Sequence, residues 1–74
     1  MPEWQAMAGP AVYEFKVAQS LSEQWAAWFH GLELARDDQG NTLLSGTIVD
    51  QAALHGVLAK IRDLNLILIS VMRK

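Results

Sequence analysis

Residues 50–64, DQAALHGVLAKIRDL, decide how this chain must fold. Leu54, Val57, Leu58, Ile61 and Leu64 recur at the spacing of one helix face. Asp50 stands where an N-cap belongs. Asn65 follows, a residue second only to Gly at ending a helix in the left-handed conformation. The stretch reads as an amphipathic helix. A helix that leads from one strand into another must carry the chain across the sheet, so its neighbours set the topology.

Downstream, LILISVM (66–72) reads as a final strand. It is apolar on both faces, so both faces are expected to be covered. Upstream, LELARDDQGNTLLSGTIV (32–49) reads as two strands around a turn, with DDQGN supplying residues that tolerate positive φ. Gly46 within the second of these strands predicts a bulge or a close backbone approach.

Before them, SLSEQWAAWFHG (20–31) predicts a short helix. Ser20 and Glu23 have capping-box spacing, and Ser22 is an equally good N-cap. Leu21, Trp25, Trp28 and Phe29 fall at helical spacing, and His30–Gly31 reads as the exit. The segment AVYEFKVAQ (11–19) alternates, with Tyr13, Phe15 and Val17 on one face and Glu14 and Lys16 on the other: a strand with one buried face. Residues 1–11 hold two prolines and small residues and read as a loose N-terminal arm pinned by Trp4, leaving 12–74 as one domain.

The order is strand, helix, strand, strand, helix, strand. It predicts an α+β, ferredoxin-like β-α-β-β-α-β fold, a four-stranded antiparallel sheet with two helices on one face. The crossover rule puts the last strand beside the first, at a sheet edge. The far face and that edge are then bare, and an open apolar edge invites pairing.

Composition narrows the function classes. In 74 residues, 51% are hydrophobic, three are Trp and none is Cys. A chain this short buries only about 60% of the surface it exposes when unfolded, and here no disulfide or thiolate metal site assists it. The apolar surplus points to a partner, most simply a second copy. The net charge of −2 and the lack of a basic stripe argue against nucleic acid. The first residues do not resemble a signal peptide, and LILISVM falls far short of the ~20 residues of a membrane span. A cytoplasmic protein without a membrane partner is the expectation.

Specific chemistry is hard to find. Pro2 raises the N-terminal-proline base of small tautomerases, but those chains run straight from proline into a strand, and EWQAMAG intervenes here. On the helical wheel Ala52, Gly56 and Ala59 form a small-residue ridge opposite the apolar stripe, with His55 beside it. The ridge reads either as a contact surface or as a solvated face. As a base, His55 lacks an orienting carboxylate; as a metal ligand, it lacks a second ligand on its helix face, and His30 is distant. No catalytic residue, metal site or cofactor is expected. The expected interface is Ala52, His55, Gly56, Ala59, Ile67, Ile69 and Val71. Tyr13, Trp25, Trp28 and Phe29 form either core or a ligand pocket.

Residues 49–71, VDQAALHGVLAKIRDLNLILISV, together with WAAWFHGLEL and LLSGTIVDQAALHG, resemble a family of small, mostly uncharacterised bacterial proteins. The resemblance covers most of the chain after residue 12. In that family the position of Asn65 is commonly glycine and the next often proline, so this chain departs from the pattern at Asn65–Leu66. The resemblance implies an accessory or interaction role and brings no activity. The leading expectation is a non-enzymatic, self-associating interaction module, a homodimer or a complex with another protein. Behind it stand a small-ligand-binding module and a cofactor-free enzyme using His55 or His30 as base.

Overall fold

A computed structural model describes residues 10–29 and 31–74. The elements are β1 (Ala11–Val17), a 3-10 segment (Glu23–Trp28), β2 (Glu33–Arg36), β3 (Thr42–Ile48), α1 (Gln51–Asp63) and β4 (Leu68–Arg73). The strands form one antiparallel sheet in the order β2-β3-β1-β4.

The expected fold class is corrected at its first helix. Residues 23–28 form a single 3-10 stretch, so the sheet carries one α-helix and not the two of a ferredoxin-like fold. The cause lies in what pins this connection. The Leu21 N–H donates to Thr42 Oγ1 at 2.8 Å, and that buried hydroxyl donates to the Gln19 carbonyl at 2.7 Å. Arg36 Nη2 donates to the Leu21 carbonyl at 2.8 Å. Residues 19–21 are thus tied to the start of β3 and the end of β2. Leu21 and Phe29, on either side of the segment, are both buried in the core, so the connection is fixed at both ends. A 3-10 stretch rises about 2.0 Å per residue against about 1.5 Å in an α-helix, so it covers more length with fewer residues. The Trp25 N–H accordingly donates to the Ser22 carbonyl three residues back.

The core alternates as the sequence requires. Tyr13, Phe15 and Val17 of β1 are buried beside Leu44 and Ile48 of β3, where Phe15 directly opposes Leu44. The opposite face is open and carries Lys16, which lies 3.5 Å from Asp37, and Glu14, which lies 3.7 Å from Lys74. The β1–β3 register runs unbroken past Gly46, so there is no bulge there. A close approach takes its place: a Cβ on Gly46 would lie 2.6 Å from the Gly31 carbonyl oxygen.

The ends of α1 follow from its caps. Asp50 is extended and its carboxylate accepts from the Ala53 N–H at 2.8 Å. At the other end, Asn65 adopts φ 59°, its N–H donates to the Arg62 carbonyl, and the Leu66 N–H reaches back to the Ile61 carbonyl at 3.0 Å. This is a Schellman motif with Asn in the usual place of Gly.

The last strand departs from expectation. β4 lies at the edge beside β1, as the crossover rule requires, but it is covered on neither face. Leu68, Ile69, Val71 and Met72 of β4 remain 40–52% exposed. The expected arm begins outside the described residues, as do Trp4, Pro2 and His30; β1 itself starts at Ala11.

Candidate functional site

The two sheet edges are built differently. β2 is four residues long, with Glu33 and Arg36 at its ends. Short, charged strands are how sheets protect an edge. β4 is the opposite case. Leu68, Ile69, Val71 and Met72, with Ile67 just before them, are between 40% and 62% exposed, and Arg73 is the strand's single charged residue.

The ladder phase shows which backbone groups of β4 are free. The Lys74 N–H donates to the Val12 carbonyl at 2.8 Å. In an antiparallel ladder the hydrogen-bonded pairs alternate, so Met72 and Ser70 also face β1 through their pairings with Glu14 and Lys16. The N–H and C=O of Val71 and Arg73 therefore point away from the sheet. A register shift between Lys16 and Val17 interrupts the ladder near Leu68, which leaves Ser70–Arg73 as the regular stretch of open edge.

A second feature lies on the helix-covered face. A groove of about 340 Å³ runs between α1 and the 3-10 segment, lined among others by Trp28, Phe29, Ile48, Gly56, Val57 and Lys60. Phe29 and Ile48 are buried, while Trp28 is 53% exposed. The Lys60 ammonium stands 5.7 Å from the centroid of the Trp28 ring, within cation–π range. No residue of β4 lines this groove.

These placements divide the residues singled out in the sequence. Ile67, Ile69 and Val71 lie together on β4, exposed. Gly56 turns to the groove, whereas His55 and Ala59 lie with Leu58 and Arg62 on the other flank of α1. Ala52 is exposed. The small-residue ridge therefore runs along the outer side of α1 between the two flanks, with Gly56 bordering the groove and Ala59 the opposite side. The aromatic set divides too. Tyr13 and Phe29 are core, Trp25 is half-buried, and only Trp28 and Phe29 reach the groove. Lys60 escaped the sequence reading. Its spacing of four from Gly56 was the available signal, because residues four apart share a helix face.

Among the described residues no group of three or more His, Cys, Asp or Glu could hold a metal ion. Among them, too, no helix is long and apolar enough to cross a membrane. Residues 12–72 match the family described as Domain of unknown function (DUF8691). No curated protein and no solved structure matches the chain.

Proposed function

We propose that this chain, which belongs to the DUF8691 family, is a self-associating interaction module that pairs through β4. The observation that carries the reading is the contrast between the protected β2 edge and the bare apolar β4 edge. An apolar edge with free ladder groups is a template for another strand. A second copy of β4 fits it in the antiparallel sense. The two Arg73 side chains then sit at opposite ends of the seam, whereas parallel pairing would place like charges side by side. Pairing adds ladder hydrogen bonds at Val71 and Arg73 and removes Ile69, Val71 and Met72 from water.

The ladder phase supplies a selective test. The Val71 N–H points outward, so Val71→Pro removes a donor to the partner but none within the chain. Solution mass by light scattering is expected to show a dimer for the parent and a folded monomer for Val71→Pro, with unchanged circular dichroism. A parent that stays monomeric across the accessible concentrations, or a dimer indifferent to the proline, would sink the reading.

A further inference from the structure

We infer that the groove between α1 and the 3-10 segment is a binding site for a planar apolar carboxylate, such as an aromatic acid. The volume of about 340 Å³ lies within the range of small-ligand pockets. Its chemistry is polarised. Trp28, Phe29 and Val57 present apolar surface, Lys60 brings a cation, and no acidic residue lines the groove. Among the described residues Lys60 makes no ion pair, and its ammonium stands against the Trp28 ring. Such a lining suits an apolar molecule that carries a negative charge.

Gly56 gives the ligand its shape. A glycine inside a helix is unfavourable relative to alanine, and a Cβ at Gly56 would meet nothing within 4 Å. Close packing within the chain therefore does not account for the glycine. What the missing side chain does is leave bare helix backbone beside the exposed indole of Trp28. A flat ring can lie between the two, with its carboxylate directed to Lys60, one helical turn on. The indole gives an offset-stacking surface, and the ammonium already near its face stays within reach of the carboxylate.

The experiment uses the full chain with 2-naphthoate as probe and neutral 2-naphthamide as its control. Amide chemical shifts of Gly56, Val57 and Lys60 and the tryptophan fluorescence are followed on titration. Saturable shifts at these residues are expected with 2-naphthoate, and binding of 2-naphthamide about tenfold weaker, the difference that one charge-assisted contact makes. Lys60→Met should bring the acid down to the level of the amide and leave the amide unchanged. Gly56→Leu should abolish binding of both while the amide spectrum stays dispersed; Gly56→Ala, which fills less of the groove, should weaken both. Equal affinity for acid and amide in the parent would overturn the inference. So would shifts confined to β4, full binding by a folded Gly56→Leu, or no shift up to the solubility limit of the probe. These readouts do not depend on the pairing of β4.

Discussion

Two glycines in this chain look alike in sequence and behave oppositely in space. At Gly46 a Cβ would lie 2.6 Å from the Gly31 carbonyl oxygen and 2.9 Å from Leu32 Cδ2. The first of these is backbone and cannot swing aside. Gly46→Ala should therefore destabilise the fold by about 1–3 kcal/mol, the usual cost of forcing extra volume into a packed site. Gly56→Ala meets open space and should stabilise α1 by about 0.5–1 kcal/mol. Urea unfolding of the two variants checks the pair through midpoints that move in opposite directions. Equal shifts would mean that the approach of Gly31 to β3 is not tight. The sequence marked Gly46 as either a bulge or a close approach, because a strand interior gives glycine few other uses, and the structure has the approach without the bulge. It could not orient Gly56, because a wheel shows which side of α1 faces the core but not which neighbour flanks it.

At the scale of elements, the β2–β3 hairpin shows how fully local chemistry can be read. Asp37 accepts from the backbone N–H groups of Gln39 and Asn41, both at 2.9 Å, and from the Asn41 side-chain amide at 3.0 Å. Gly40 takes φ 83° to close the loop. The Asn41 side-chain hydrogen bond is the main cause that holds the Asp37 carboxyl below the usual carboxylate value. Partial desolvation opposes it, while the two backbone donors and Lys16 add to it. A lowered folded pKa means that the ionised form is favoured by folding. The stabilisation is present above the unfolded value of about 3.9 and is lost as pH falls through the lower folded value. Unfolding midpoints measured on acidification should fall more steeply below about pH 4 in the parent than in Asp37→Asn, which keeps an acceptor but cannot ionise. Parallel acid limbs would count against Asp37 as the titrating group. The 3-10 segment is the contrasting case. Its cap residues and its aromatic spacing suit an α-helix, and nothing local in those residues marks the anchors that tie down its start. Those anchors join Leu21 to Thr42 and Arg36, residues far apart in the chain, and such contacts leave no periodic trace. The groove borders this segment through Trp28 and Phe29.

For the molecule as a whole, the distribution of the core matters more than its size. The buried apolar side chains come from β1, β3 and the ends of the 3-10 connection; α1 contributes Ile61 and β4 contributes none. One edge of the sheet is therefore held to the core mainly by its ladder to β1. Sequence patterning placed β4 at that edge and marked it as apolar on both faces. It expected both faces of that strand to be covered, and within one chain they stay largely exposed, because hydropathy says that a strand should be buried but not by whom. If a second copy supplies the cover, folding and association are one equilibrium. For a folded dimer that unfolds to two chains, each tenfold rise in chain concentration favours the folded side by about 1.4 kcal/mol per dimer. The thermal and urea midpoints of the parent should then climb with concentration, while those of Val71→Pro should start lower and stay flat. A flat parent series would show that the exposed β4 edge is stable in a single chain. The apolar residues from Ile67 to Met72 would then contribute nothing to folding through a partner copy.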